Sequence, residues 1–185
     1  MKILKVLAVS VLSLATCTAQ AAPYQLYLVR HAHKAEVNKA AGGAAAKDPL
    51  LSACGKAQAA ELATLLAKVP LTKLYHSGYQ RTQLTATALL TPNRRLETYQ
   101  AADIQNLAAS LMQQQQNALV VGHSNTVPQL AELLSKTPQA PLTEQDYGLI
   151  YQLQFDGNNF ISLTTLQLPM PALCEPQKGL NNINE

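Results

Sequence analysis

The run NALVVG at residues 117–122 constrains the fold of this chain more than any other segment. Its apolar side chains are continuous rather than alternating, the pattern of a strand buried on both faces. Such a strand needs helices above and below it, and the flanking sequence supplies them. YQLYLV (24–29) reads as a first strand and LTKLYH (71–76) as a second. Ser52 is placed to cap a helix from Ala53 to about Lys68, with Ala59, Leu62, Leu65 and Leu66 at helical spacing and Pro70 as its stop. YQRTQLTATALL (79–90) predicts a second helix and RRLETY (94–99) a short strand. Asp103 is a cap for a third helix reaching about Gln113, and a fourth runs from about Val127 to Leu134. LIYQLQF and FISLTTLQL flank DGNN, a hairpin signal. Alternation of this density predicts an α/β fold of three layers, α/β/α, with a mainly parallel sheet and a C-terminal antiparallel hairpin.

The first segment reads differently. Met1 to about Ala22 carries Lys2 and Lys5, the apolar run VLAVSVLSLA and the small-residue AQA at 19–21, the pattern of a secretory signal peptide. The expected organisation is a leader over 1–22, one domain over 23–168 and an irregular Pro- and Asn-rich tail over 169–185. A periplasmic or secreted protein, cleaved near Ala21/Ala22, is the corresponding expectation. Cys17 in LATC loosely resembles a lipoprotein acylation site, but Thr16 before it is unusual there, so anchoring is the lesser alternative. No later apolar run approaches the ~20 residues of a membrane span, so no integral membrane segment is expected in the mature chain. The net charge of +3 falls to +1 without the two leader lysines, and no Lys/Arg run exceeds two residues, so nucleic acid is not an expected partner. Beyond the leader, Cys54 and Cys174 form an even pair, a disulfide candidate in an oxidising compartment. The bridge would tie the tail to the first helix; the alternative is a small buried side chain at Cys54 and a free thiol at Cys174.

Three polar clusters fall at the carboxyl ends of three strands, where open α/β sheets bind ligands. They are Arg30-His31, HSGYQRT with Ser77 and Arg81, and GHSNT with His123. Guanidinium groups present donors in a fork matched to phosphate oxygens, and two of them neutralise a phosphoryl dianion. Helix N-termini near Tyr79 or Ser124 would add backbone donors. One histidine can then attack phosphorus and carry the phosphoryl group while the other stabilises charge on the transferring oxygens. This chemistry requires no metal and no cofactor. Lys34 can extend the pocket, and Ser77, Ser124 and Asn125 can donate to phosphate oxygens, although solvated-loop, turn or cap roles suit these residues as well. His76 alternates away from Ser77 and reads as structural.

LVRHAHK, YHSGYQRTQLTA and VVGHSNTVP resemble the signature segments of the histidine phosphatase superfamily, the phosphoglycerate mutase-like fold. DPLLSACGKAQAAELA resembles that family's Leu-(Ser/Thr)-x-x-Gly segment at the start of the first helix. The resemblance implies His31 as the phosphorylated nucleophile and Arg30, Arg81 and His123 as the phosphate pocket. It implies a histidine acid phosphatase-type monoester hydrolase acting on phosphate monoesters or phosphohistidine. The long insertions of mutases and larger acid phosphatases are missing, so hydrolysis is expected over mutase transfer. The chain departs from the family at Ala32, where Gly is usual, and at His33, where Glu or Gln commonly follows. The usual acidic proton donor after the third strand is not plain in RRLETYQAADIQ; Asp103 is favoured, with Glu97, Glu36 and His33 behind it.

Two other readings fit some of the same residues. His31, His33 and His123 could ligate a metal, but Arg30 and Arg81 would repel a cation. A non-catalytic protein binding phosphate or a phosphorylated small molecule needs the same pocket. Specificity is expected to lie in the 35–50 and 135–146 loops, whose bland composition names no substrate. The sequence leaves the oligomeric state open.

Overall fold

The computed structural model describes residues 22–37, 43 and 47–174. The leader up to residue 21, with Cys17, most of the 38–46 loop and the tail beyond Cys174 lie outside the described residues. A six-stranded sheet organises the domain in the order β3-β2-β4-β1-β5-β6. Its strands are β1 (Tyr24–Arg30), β2 (Lys73–His76), β3 (Arg95–Thr98), β4 (Ala118–Gly122), β5 (Leu149–Asp156) and β6 (Asn159–Gln167). β1, β2, β3 and β4 are parallel, and the β5–β6 hairpin joins antiparallel to β1. Among the described residues the four α-helices are α1 (Ala53–Leu65), α2 (Gln80–Thr87), α3 (Ile104–Gln114) and α4 (Thr126–Ser135).

The central strands explain the layering. In β4, Leu119 and Val121 face one core while Ala118 and Val120 face the other. β1 divides likewise, with Tyr27 and Val29 on the first side and Leu26 and Leu28 on the second. Leu62 of α1 and Ala86 of α2 cover the first face; Leu107 and Leu111 of α3 and Leu130 and Leu134 of α4 cover the second. The expected three-layer α/β fold with its antiparallel C-terminal edge is the one observed. Among the described residues no helix is long and apolar enough to cross a membrane.

Several boundaries move for local reasons. α1 stops at Leu65, which is exposed, and Leu66 is buried as its C-cap, so the helical face is Gly55, Gln58, Ala59 and Leu62. α2 starts at Gln80 and ends at Thr87, three residues before the expected Leu90. The Ser52 hydroxyl accepts from the Gly55 N–H and the Asp103 carboxylate from the Asn106 N–H, each capping its helix. Cys54 and Cys174 form a disulfide with Cα atoms 4.8 Å apart, tying a 3-10 turn (Ala172–Cys174) to the first turn of α1. Closing so long a segment of chain stabilises the fold by roughly 4–5 kcal/mol on the chain-entropy account.

Candidate active site

The sheet delivers its polar residues to one edge because the β1–β4 pairing is in register to its end. Arg30 lies opposite Gly122, and the His31 N–H continues the ladder by donating to the Gly122 carbonyl at 2.9 Å. A side chain at position 122 would press on Thr126, Tyr99 and Val127, each 2.9 Å from a built Cβ, so glycine lets α4 start directly behind the strand. Arg30, His31, Lys34, Arg81, His123, Ser124 and Asn125 thereby line one cavity of about 410 Å³.

Both arginines are held in the same manner. The Arg30 guanidinium lies 4.2 Å over the Tyr147 ring, and Arg81 lies 4.5 Å over the Tyr79 ring. Each also meets a loop carboxylate, Glu144 for Arg30 and Asp48 for Arg81, both at 3.2 Å. Arg30 donates further to the carbonyls of Thr143 and Asp146. After these bonds the Nε of both arginines is buried and has no partner among the described residues. Two unpaired buried cationic donors beside one cavity make a site that favours an oxyanion.

The histidines are tuned to be uncharged. Burial, with Arg30, Arg81 and His123 nearby, pushes His31 down to about 3. Burial, Arg81 and Arg30 push His123 down to about 4, against the opposing pull of Asp48. The His31 Nδ1 lies 2.8 Å from the Ala32 carbonyl oxygen. A carbonyl only accepts, so Nδ1 carries the hydrogen and Nε2 keeps a lone pair. That is the tautomer of a nitrogen nucleophile.

Other sequence-derived residues stand elsewhere. Asp103, the residue favoured as proton donor, does not line the cavity; its carboxylate is bonded by the Asn106 backbone and side-chain amides at the exposed start of α3. The cavity wall after β3 is Ala101 and Ala102 instead. Ser77 also is not a wall residue: its buried hydroxyl meets His123 Nε2 at 2.7 Å and Thr82 Oγ1 at 3.1 Å, so it supports His123 rather than the ligand. Glu97 pairs with Lys73 on the sheet. His33 and Glu36 line a neighbouring hollow of about 510 Å³, which shares Lys34, Arg81 and Glu144 with the first cavity. His33 is turned to Ser52, its Nδ1 2.8 Å from that hydroxyl, and among the described residues no group of three or more His, Cys, Asp or Glu gathers as metal ligands. His76 is bonded to Thr98 and to the Gly78 N–H.

Asp48, Glu144, Tyr79 and Tyr147 were not legible as site residues. Asp48 and Glu144 come from the two compositionally bland loops, where no periodicity predicts a direction. Asp48 also accepts from the Gln80 N–H with both oxygens at 3.0 Å, capping α2 from outside. Lys34 and Arg30 hold the Glu144 carboxyl below its usual range, the hydrogen bond from Lys34 contributing most. Among the described residues Glu144 is the carboxylate of the cavity wall.

The model of the histidine phosphatase superfamily (branch 1) matches residues 26–107. No curated protein matches the chain. Among solved structures, the chain is similar to the protein histidine phosphatase SixA complexed with tungstate, at 18% identity, covering 77% of this chain and 96% of that one, with a TM-score of 0.63. A putative phosphohistidine phosphatase SixA from Nakamurella multipartitia aligns at 17% identity over 80% of this chain and 98% of that one, TM-score 0.58. A phosphoglycerate mutase from Plasmodium falciparum aligns at 19% over 77% and 89%, TM-score 0.54. At these identities the structural likenesses speak for the fold.

Proposed function

We propose that this chain, whose residues 26–107 match the model of the histidine phosphatase superfamily, is an exported phosphatase hydrolysing phosphate monoesters or phosphohistidine through a covalent phosphohistidine on His31. The observation that carries this is the pair of buried, unpartnered arginine Nε groups flanking a neutral histidine whose free nitrogen is Nε2. A phosphoryl dianion takes the place between Arg30 and Arg81, with Lys34, His123, Ser124 and Asn125 within the same wall. The His31 Nε2 lone pair attacks phosphorus and the bond to the leaving oxygen breaks, while Nδ1–H remains on the Ala32 carbonyl and stabilises the charge that develops on the ring. Water then displaces phosphate from Nε2. Alanines after β3 and an ionised Glu144 favour substrates with good leaving groups, aryl phosphates and phosphohistidine among them.

The test uses an aryl phosphate, with the reaction quenched in base. Phosphate attached to His31, turnover lost in His31→Ala and activity retained in excess chelator are the expected results. Anion binding without turnover or labelling would establish instead a non-catalytic phospho-ligand binder on the same fold.

A further inference from the structure

His123 ends a chain of buried hydroxyls whose direction is set from its far end. Thr82 Oγ1 lies 2.7 Å from the Tyr79 carbonyl oxygen, and a carbonyl only accepts, so Thr82 gives its one hydrogen there. Ser77 Oγ lies 3.1 Å from Thr82 Oγ1, which is left as an acceptor, so Ser77 gives its hydrogen to Thr82. His123 Nε2 lies 2.7 Å from Ser77 Oγ, whose hydrogen is already committed, so Nε2 must donate. A neutral His123 therefore presents a lone pair at Nδ1, where the Arg81 guanidinium stands at 3.5 Å. That lone pair suits a cation and opposes an oxyanion. Thr82 and Ser77 are both buried, which limits water from resetting the chain.

We propose that the Thr82–Ser77 chain couples anion binding to proton uptake, so that the cavity takes an oxyanion together with one proton, held on His123 Nδ1. The proton comes from solvent and adds to the Nδ1 lone pair; no other bond changes, and the resulting imidazolium donates to the bound anion. In the empty site, Arg81 on α2 and Arg30 on β1 oppose that charge, Asp48 from the preceding loop favours it, and His31 and Tyr79 are the other titratable neighbours. Burial with the two arginines pushes His123 down to about 4, so the ring is neutral at pH 7. A bound dianion supplies the missing counter-charge. Thr82 is thus a positioning residue that acts on His123 through Ser77. The inference rests on the phosphate-site reading above.

Tungstate is a suitable probe because it is a dianion at neutral pH and carries no proton of its own. Calorimetric titration at pH 7 in buffers of different ionisation enthalpy measures the protons taken up. The wild-type protein should take up about one proton per anion more than a variant whose His123 Nδ1 already carries a hydrogen, the capacity of that one acceptor. Thr82→Val removes Ser77's acceptor, so the Ser77 hydrogen turns to His123 Nε2 and the neutral ring carries its hydrogen on Nδ1. Tungstate should then bind with proton uptake lower than wild type by about one proton, and Thr82→Ser should restore it. Ser77→Ala tests the same link should Thr82→Val not fold. Wild-type binding without uptake, or a Thr82→Val protein that takes up the wild-type proton, overturns the inference. Failure of tungstate to bind the wild type at all overturns the phosphate-site reading instead.

Discussion

The ends of β1 and β4 each set a histidine against the same cavity, rings 5.5 Å apart and steeply inclined, yet the two are wired in opposite ways. His31 is fixed through Nδ1 by a backbone carbonyl and keeps its lone pair on Nε2. His123 is fixed through Nε2 by a side-chain hydroxyl and keeps its lone pair on Nδ1. Burial and the arginines lower both, so electrostatics does not distinguish them. The difference lies in the partner of the far nitrogen. A carbonyl holds one tautomer in every state of the reaction, which suits a nucleophile. A hydroxyl can be redirected by its own neighbours, which suits a group that gains and releases a proton.

The largest expected effect separates those roles. His31→Ala should lower turnover of an aryl phosphate by on the order of 10⁴-fold or more, since the bond-forming atom is gone. His123→Ala should cost about 10²–10³-fold, the loss of one donor to the transition state. Equal losses in initial-rate assays would erase the distinction. Acid stability gives the next test, on protein free of anions. An unfolded His31 titrates near 6.5 and the folded one near 3, so the unfolded chain binds the extra proton between those values. The stability contribution is full above 6.5 and is lost as pH falls toward 3. By pH 4, His31→Asn should recover about 3 kcal/mol of the acid-induced loss relative to pH 7, and His123→Asn less, because its folded value is nearer 4. Denaturant midpoints at both pH values measure this, and an unchanged acid limb in His31→Asn would contradict the burial argument.

A third test breaks the β1 side alone. The first turn of α1 packs on the loop carrying His31: a Cβ on Gly55 would meet the His33 carbonyl oxygen at 2.0 Å, and Gln58 accepts from the His33 N–H. Gly55→Ala should therefore cost about 1–3 kcal/mol and reduce turnover, while the proton uptake set by Thr82 and Ser77 persists. Loss of both together in the folded variant would show that the two histidines are not independently supported.

The same contrast explains what the sequence disclosed. Continuous apolar runs in β1 and β4 and the caps at Ser52 and Asp103 are local signals, so the layers were legible from them. His31, Arg30, Arg81 and His123 could be gathered because a parallel sheet sends its strand ends to one edge. Ser77 was placed in the right region but its partners were not legible, since which way a hydroxyl after a strand turns depends on β4 and α2, remote in sequence. Asp103 satisfied a helix rule and a proton-donor rule at once, and the local bond prevailed. Glu144 and Asp48 carried no signal because long-range ion pairs leave no period in a loop.

Those two carboxylates give the smallest expected effect and refine the comparison of the two sides. Glu144 bonds Arg30 and Lys34 from an exposed loop position, whereas Asp48 binds Arg81 and also caps α2. An anion entering the cavity competes with Glu144 for the cations on the β1 side. Removing that competitor frees Lys34 and Arg30 without touching a helix end. Glu144→Gln should thus tighten tungstate binding by a few-fold, within the ~1 kcal/mol typical of exposed ion pairs, with the gain fading as salt is raised. Asp48→Asn should gain less, because relief at Arg81 is offset by a weakened cap on the helix that carries it. Titrations at low and high ionic strength read both. Weaker binding by Glu144→Gln would mean that its carboxylate orients the arginine for the anion instead of opposing the anion's entry.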